Sequence, residues 1–385
     1  MFSRPKLFYL QKGGILFLIG LGLSIFGLLM IYDASAVSAY ENFADPYHFL
    51  KRQLIWLFIS LAASLVCSRI NYSFWLRLAR PLALLSLFFL IIVLIPGWSS
   101  QIYGARRWLS LPFPLPFLGE FRFQPSELAK ISLVFLLAAG LKNYPPRSPH
   151  RARFLFILLL WGIFGGLIIL QPDFGSAFIL ISASLILLFS AGLPWREIIL
   201  LLLILLIGGG AFIFSSGYRR QRVLTFLQPQ TDRQKSSYHI NQILIALGSG
   251  GLWGRGLGYS RQKYQYLPEV STDSIFAVIG EEFGFIGSLS ITLVLALLIH
   301  YAFQLSRRTS DPTALYLSSG LTALLALPTI LNLGSMVALI PLTGDPLPFI
   351  SYGGSSLLAN WIILGILINI ARQNNEGPRK KRIKR

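Results

Sequence analysis

Cysteine, histidine and charged residues are scarce in this sequence of 385 residues. Its single cysteine, Cys67, excludes a disulfide framework within the chain and a zinc site built on cysteines. Its four scattered histidines argue against a histidine-rich metal centre. Charged residues make up 13% of the chain, whereas soluble domains carry about 25%. The composition therefore argues against a soluble globular enzyme.

Hydrophobic residues make up 54% of the chain and give a mean hydropathy of +0.63. They form runs of about 20 residues, and a helix of that length crosses the roughly 30 Å hydrocarbon core of a bilayer. We therefore expect an all-α integral membrane protein of about ten transmembrane helices. Residues 1–371 would form a polytopic membrane domain with a large extracytoplasmic loop, 217–273, between helices 7 and 8, followed by a basic tail, 372–385. The predicted helices lie near residues 13–32, 50–67, 81–96, 127–141, 154–170, 174–191, 197–216, 274–301, 313–340 and 355–371.

The placement of positive charge predicts the orientation of the chain. The formal net charge is +19, which in a soluble protein would suggest nucleic-acid binding, but membrane proteins retain Lys and Arg on the cytoplasmic side. With both termini inside, the cytoplasmic segments hold 20 of the 34 Lys and Arg but only three of the 15 acidic residues. We therefore expect both termini in the cytoplasm, a tail that anchors to anionic lipid, and no nucleic-acid partner.

Two outer segments carry basic residues on the opposite side, against this rule. The loop before helix 4 contains Arg106 and Arg107, and the helix starts with Glu127 and Lys130, spaced as an ion pair would be. Guanidinium groups bind phosphate through paired hydrogen bonds, so the segment suits a phosphate-bearing substrate. Two simpler interpretations remain open, because the arginines can form an interfacial belt and Glu127 and Lys130 can neutralise each other.

The long loop ends at a carboxylate near the membrane boundary. The loop contains Arg219 and Arg222 near its start and a glycine-rich stretch at 248–258, and it reaches Asp273 where helix 8 is predicted to begin. Asp273 can cap that helix, or it can act as a general base, since an ionisable group at the membrane is a candidate functional group. We expect Glu281 and Glu282, about two turns further on, to hydrogen-bond inside the bundle.

The segment 340–356 combines three prolines with a glycine pair and several serines. Broken helix at membrane depth is tolerated only against protein or around a water-filled cavity. We therefore expect this segment to line a cavity, with Ser351, Ser355 and Ser356 supplying hydroxyl groups there.

Five motifs in order along the chain resemble signatures of the SEDS family (shape, elongation, division and sporulation), the FtsW and RodA group of peptidoglycan glycosyltransferases. Stretches at 32–36, 45–53 and 279–284 resemble the division members, FtsW, more than the elongation members, RodA. Where some members carry a lysine, this chain has Thr343-Gly344-Asp345, so no lysine in that turn can serve the substrate. The five motifs are Gly104-Ala105-Arg106-Arg107-Trp108, Gln124-Pro125-Ser126-Glu127, Gln171-Pro172-Asp173-Phe174-Gly175, Tyr266-Leu267-Pro268-Glu269 with Thr272-Asp273, and Leu347-Pro348-Phe349-Ile350-Ser351-Tyr352-Gly353-Gly354-Ser355-Ser356.

The resemblance implies an enzyme that polymerises lipid II into glycan strands at the outer face of the bacterial cytoplasmic membrane, in septal synthesis, with release of polyprenyl diphosphate. It implies that Asp273 is the catalytic carboxylate. The expected partners are a class B penicillin-binding protein (a transpeptidase) and other divisome membrane proteins, besides lipid II and the growing strand. No metal ligand is predicted, and assistance by a divalent cation, Mg²⁺ or Mn²⁺, stays open. The predicted substrate-binding residues are Arg106, Arg107, Glu127, Lys130, Arg219, Arg222, Gln242, Lys263, Glu269, Ser351, Tyr352 and Ser355.

Three alternatives remain open. A polymerase of RodA type would act in elongation rather than in division. A lipid II flippase would use Glu281 and Glu282 as an intramembrane proton relay. A non-catalytic divisome scaffold would bind the transpeptidase without performing chemistry.

Overall fold

The computed structural model of the protein describes residues 4–102, 105–110, 121–141, 151–214, 236–307, 309 and 311–376. Helices dominate these residues, and three short strands lie between the fourth and fifth helices. The helices are α1 (Arg4–Phe43), α2 (His48–Arg69), α3 (Tyr72–Arg77), α4 (Ala79–Ile92), α5 (Pro125–Leu141), α6 (Arg151–Leu170), α7 (Phe174–Ser190), α8 (Trp195–Phe214), α9 (Ser236–Gly250), α10 (Ile275–Arg307), α11 (Pro312–Met336) and α12 (Gly354–Glu376). The strands are β1 (Ser99–Ile102), β2 (Ala105–Ser110) and β3 (Arg122–Phe123).

Each of the ten predicted transmembrane segments falls on one of these helices. Among the described residues, α1, α2, α6, α10, α11 and α12 are long and apolar enough to cross a bilayer, and α4 and α7 are shorter apolar helices. The chain is therefore a mostly helical, multi-pass membrane protein. Two predicted segments extended too far, because α4 ends at Ile92 and α11 at Met336, each a few residues before a proline (Pro96 and Pro341), where helical geometry is disfavoured.

The all-α prediction is wrong for the segment between α4 and α5, which forms a small antiparallel sheet of order β1-β2-β3. Ser99 pairs with Leu109 in the first ladder, and Leu109 pairs with Phe123 in the second. Strands of two to six residues are too short to show a clear alternation of polar and apolar side chains in the sequence. Residues 103, 104 and 111–120 of this stretch lie outside the described residues.

Local signals set the start of several helices. α5 begins at Pro125, the expected place for a residue that lacks an N–H group and has a fixed φ. Asp173 precedes α7, and its side chain accepts a hydrogen bond from Ser176 N. Asp311 precedes α11 in the same way, and its side chain accepts a hydrogen bond from Thr313 N. These carboxylates also face the positive end of the helix dipole.

The segments that connect the helices lie at two ends of the bundle, where polar contacts join them. At one end, Tyr72 Oη lies 2.6 Å from Asp311 Oδ2, and Asn374 Nδ2 donates to Thr309 Oγ1 at 2.8 Å. The other end, here called the site end, comprises residues 44–53, 99–102, 105–110, 121–124, 171–176, 249–275 and 337–356. The fold thus brings together segments that are up to 300 residues apart, such as Gln53 and Gly353, whose Oε1 and N lie 3.2 Å apart.

Small residues let α1 pack closely against the segment that precedes α12. Gly27 is buried, and a Cβ atom there would lie 2.7 Å from the carbonyl oxygen of Phe349 and 2.8 Å from the Cα of Ile350. Helices in membranes associate through such small residues because lipid gives them little hydrophobic driving force. Gly27 therefore sets how closely α1 approaches the site end.

Gly27→Ala should destabilise the protein, because overpacking a close contact costs about 1–3 kcal/mol. We expect the midpoint of thermal unfolding in detergent to fall by several degrees. Gly22→Ala is the matched control, since Gly22 lies on the same helix with no atom within 4 Å of an added Cβ. Alanine favours helix over glycine by about 1 kcal/mol, so the control should unfold at the wild-type temperature or above it. Equal midpoints for the two variants would contradict this packing.

Candidate active site

Glu127 and Lys130 form a buried ion pair in the first turns of α5. Lys130 Nζ lies 2.9 Å from Glu127 Oε1, and both side chains are at most 10% exposed. The simpler of the two predicted roles, mutual neutralisation, is confirmed. The pair also lines a cavity between α5, α11 and α12, together with the side chains of Asp345, Ser356 and Asn360.

Asp173 ties two of the sequence motifs together. Its carboxylate accepts hydrogen bonds from Gln124 Nε2 at 3.1 Å, from Ser126 Oγ at 3.4 Å and from Ser176 N at 3.3 Å. The start of α5 and the start of α7 are therefore fixed against each other around one buried charge.

Asp345 lies beside this cluster on the segment between α11 and α12. It is 7% exposed, and burial together with the charge of Asp173 raises its pKa to about 7, although Lys130 acts in the opposite direction. No role was predicted for this residue. The structure puts it on the wall of the same cavity as Glu127 and Lys130.

One buried amide connects Asp345 to Asp273. Asn332, on α11, donates its Nδ2 hydrogens to the backbone carbonyl of Asp273 at 2.8 Å and to that of Asp345 at 2.9 Å. A backbone carbonyl buried without a partner is costly, so this amide stabilises two loop segments at once. It fixes the backbone of Asp273 relative to the 337–353 segment.

Asp273 itself lies just before α10, which begins at Ile275, one residue after the predicted start at 274. Its side chain is half-buried, and its Oδ1 accepts a hydrogen bond from Thr272 Oγ1 at 3.0 Å. The same hydroxyl lies 2.9 Å from Glu269 Oε2, so the structure brings two of the predicted site carboxylates together. His239 on α9 contacts the next residue, with Nε2 2.8 Å from Ser274 Oγ.

The serines of the 337–353 segment have a different role from the one expected. Ser351 Oγ accepts from Leu347 N at 2.8 Å, and Ser355 Oγ accepts from Gln124 N at 3.2 Å. Of the three serines expected at the cavity, Ser356 lines it as predicted, whereas Ser351 and Ser355 bind these backbone N–H groups. Tyr352 N donates to Ser271 O at 2.9 Å, which joins this segment to the loop before Asp273.

Arginines lie near the same segment. Burial raises the pKa of the Tyr352 phenol, and the guanidinium groups of Arg52 and Arg122 act against that rise. Arg107 donates to the backbone carbonyls of Gln171 and Pro172.

The remaining predicted basic and polar site residues have varied positions. Arg106 is half-buried on β2, where it pairs with Gln101. Gln242 is half-buried on α9. Arg219 and Arg222 lie outside the described residues, so their predicted roles stay predictions.

Lys263 does not present a free ammonium group to a substrate, contrary to its predicted role as a diphosphate contact. Its Nζ lies 2.7 Å from Asp33 Oδ1 and 3.0 Å from Glu282 Oε1, and its side chain is 5% exposed. The two carboxylates outweigh burial and raise its pKa, which keeps the ammonium charged. Lys263 thereby joins the loop before Asp273 to α1 and α10.

The Glu281 side chain binds the backbone of the same loop. Its carboxylate accepts hydrogen bonds from Ser260 Oγ at 2.6 Å, Arg261 N at 3.1 Å and Gln262 N at 3.2 Å. As expected, Glu281 and Glu282 are hydrogen-bonded inside the protein. Residues 249–263, here called the strap, are therefore fastened to α10 by two adjacent carboxylates.

Sequence reasoning missed Asn332, Asn360, Arg52 and the role of Asp173. Asn332 and Asn360 could have been found, because a polar residue within an apolar helix marks a functional or bridging position. No comparable feature of the sequence predicted that Asp345 lies beside Glu127 and Lys130. Within the described residues, no group of three or more His, Cys, Asp or Glu is arranged to hold a metal ion.

Several known proteins are similar to this chain over most of its length. The family model described as "Cell cycle protein", for FtsW, RodA and SpoVE, matches residues 14–376. The chain belongs to this family. A probable peptidoglycan glycosyltransferase FtsW of Trichlorobacter lovleyi is 38% identical over 358 residues, which cover 93% of this chain and 92% of that protein. Stage V sporulation protein E of Bacillus subtilis is 36% identical over 360 residues, covering 93% and 96%.

Solved structures agree with the family. A chain from a peptidoglycan synthase complex that coordinates polymerization and crosslinking superposes with a TM-score of 0.74 at 28% identity, covering 93% of this chain and 97% of that one. The rod shape determining protein RodA of Thermus thermophilus gives a TM-score of 0.66 at 28% identity, covering 93% and 96%. The predicted resemblance is confirmed, and the bundle has the fold of the FtsW, RodA and SpoVE family.

In this family member, Lys263→Met should destabilise the fold. Removing one partner from a buried ion pair leaves an uncompensated charge and costs about 3–5 kcal/mol, and here two carboxylates, Asp33 and Glu282, lose their cation. Lys51→Met is the matched control, because Lys51 is exposed and its ion pair with Asp45 contributes about 0–1 kcal/mol. We expect a large fall in the unfolding midpoint for the first variant and almost none for the second. A stable Lys263→Met protein would contradict the role of Lys263 as a strap anchor.

Proposed function

We propose that the protein polymerises lipid II into glycan strands at the outer face of the bacterial cytoplasmic membrane, as an FtsW-type peptidoglycan glycosyltransferase in cell division. The names of its relatives support this activity, since several of them are probable FtsW glycosyltransferases. The observation that carries the proposal is the Asn332 amide, which holds Asp273 beside the 337–353 segment. Asp273 is then a fixed carboxylate at a polar site inside a membrane protein.

In the proposed reaction, Asp273 takes the proton from a hydroxyl of the acceptor sugar. The oxygen of that hydroxyl forms a bond to the anomeric carbon of the donor sugar, and the bond from this carbon to the diphosphate breaks. The polyprenyl diphosphate leaves with the electron pair. A positioned carboxylate that removes a proton in this way contributes about 10²- to 10⁴-fold to the rate.

Cationic side chains at the site end suit the diphosphate. We infer that Arg106 and Arg107 contribute to its binding, with Arg219 and Arg222 from the loop, because planar guanidinium groups pair well with phosphate oxygens. Arg52, beside Tyr352, is a further candidate on the same side of the segment. Glu127, Lys130, Gln242, Glu269 and the 351–355 stretch then serve as the surrounding polar wall.

We further propose ten transmembrane helices, with both termini in the cytoplasm and residues 217–273 outside. The contacts of Tyr72 with Asp311 and of Asn374 with Thr309 support this topology, because segments predicted to be cytoplasmic lie together at one end. The excess of Lys and Arg in those segments supports the orientation.

A class B penicillin-binding protein is the proposed partner, along with other divisome proteins. The relative from a complex that coordinates polymerization and crosslinking supports a transpeptidase partner. The flippase alternative is less well supported, because Glu281 and Glu282 are occupied by the strap and by Lys263. A relay across the membrane would need these carboxylates to exchange protons with both faces.

Asp273→Asn should abolish polymerisation, with a loss of at least about 100-fold in rate, because the amide cannot accept the proton. The assay uses the chain purified with its co-expressed transpeptidase, lipid II as substrate, and glycan strands separated on a gel. Asp45→Asn is the matched control, since Asp45 lies at the same end, pairs with the exposed Lys51 and has no place in the site, and it should retain wild-type synthesis.

Two outcomes would contradict the proposal. Strands made by Asp273→Asn at the wild-type rate would remove Asp273 from the mechanism, and Glu269 would be tested next. No strands from wild type, together with protein-dependent movement of fluorescent lipid II across liposome membranes, would favour a flippase.

A further inference from the structure

The cluster around Asp345 contains more negative than positive charge. Glu127, Asp173 and Asp345 are buried near one another, and Lys130 is the ammonium group among them; each of the four is at most 8% exposed. Like charges cannot all ionise in such a setting, and one buried carboxyl then stays neutral instead. Burial and mutual repulsion therefore oppose the ionisation of all three carboxyls at once.

The hydrogen bonds indicate which carboxyl is neutral. Glu127 has the ammonium of Lys130 at 2.9 Å, and Asp173 accepts from Gln124, Ser126 and Ser176. Asp345 Oδ2, by contrast, is buried without a hydrogen-bond partner in the described part of the chain. This lack of a donor to Oδ2 agrees with the rise of its pKa to about 7, which burial causes and which Lys130 and Thr343 only partly offset.

The backbone of Asp345 is coupled to Asp273. Asn332 binds the carbonyl oxygens of both residues. The preceding residue, Gly344, has φ +74°, and a Cβ there would lie 3.7 Å from Asp273 Oδ2. A shift of Asp345 therefore moves the backbone against which the Asp273 carboxylate rests.

We propose that Asp345 is a positioning residue whose protonated, neutral carboxyl keeps the 337–353 segment in the arrangement that places Asp273. The proposal rests on the polymerase function for its effect on catalysis. Ionisation of Asp345 adds a second uncompensated negative charge beside Glu127 and Asp173, and their repulsion displaces the segment. The other polar groups around Asp345 do not titrate in this range; they are Asn332, Thr343, Ser356 and Asn360.

The sign of the pH effect follows from the raised pKa. The carboxyl ionises near pH 4 in the unfolded chain and at about 7 in the folded protein. The stability that its neutral form contributes is therefore complete below about pH 4 and is lost as pH rises to about 7. Activity should fall over the upper part of the same range, as the folded protein itself ionises.

The first test compares polymerisation of lipid II at pH 6 and pH 8. Between these values the neutral fraction of a group with a pKa of about 7 falls about tenfold, so wild-type synthesis should fall about tenfold. Asp345→Asn cannot ionise, and its ratio of rates at the two pH values should be close to one. Asp45→Asn, the control, should keep the wild-type ratio. A wild-type ratio in Asp345→Asn would overturn the proposal.

The second test does not depend on activity. The unfolding midpoint of wild type in detergent should fall by several degrees relative to Asp345→Asn as pH rises from 5 to 8. Parallel midpoints for the two proteins would overturn the proposal. If wild type made no strands at any pH, the proposed function would fail, and this measurement alone would decide whether Asp345 carries the proton.

A third test uses Gly175 at the start of α7. A Cβ at this position would lie 2.3 Å from Asp345 Oδ2, so Gly175→Ala should displace the carboxyl and reduce synthesis at every pH. Removing the carboxyl in the double variant Gly175→Ala with Asp345→Ala should restore part of that loss. Gly166→Ala is the control, because an added Cβ there has no atom within 4 Å. A double variant no better than Gly175→Ala would contradict contact through the carboxyl.

Discussion

The site end depends on one requirement: backbone that leaves the helical pattern inside a membrane protein needs hydrogen-bond partners from elsewhere. The segment between α11 and α12 and the turn before α10 both lack regular structure. Asn332 satisfies one carbonyl in each of them, and Gln53 donates to Ser351 O and accepts from Gly353 N. Two amide side chains on helices thus make it possible for irregular segments to carry Asp273 and Asp345 at fixed positions.

Buried charged side chains also hold the strap in place. Glu281 and Glu282 lie on α10, where they accept hydrogen bonds from the backbone of Ser260, Arg261 and Gln262, and Lys263 extends the connection to Asp33 on α1. A buried carboxylate is tolerated when donors of this kind surround it. The loop before Asp273 is therefore joined to two transmembrane helices, so its geometry is set by the bundle and not by the loop alone.

The sequence predicted the helices well, because apolar runs of about 20 residues leave little choice of structure. It also predicted the pair of Glu127 with Lys130 from their spacing. It did not predict the sheet of β1 to β3, whose short strands have no clear pattern, nor the partners of Lys263, since Asp33 is 230 residues away. Local sequence does not show such distant contacts. The positive charge of Lys263 suggested a contact with the substrate, whereas in the fold its partners are the carboxylates of Asp33 and Glu282.

Close backbone contacts hold the strap against α10. Gly284 has φ +67°, and a Cβ there would lie 2.3 Å from the backbone nitrogen of Gly254 in the strap. The strap can therefore contact α10 directly, with Arg255 N donating to Glu281 O at 3.0 Å. Catalytic groups are most effective when their supports do not reorganise during the reaction. A carboxylate such as Asp273, held by Asn332 and by a loop with backbone contacts to α10, meets that condition, whereas one on an unsupported loop of similar length would not.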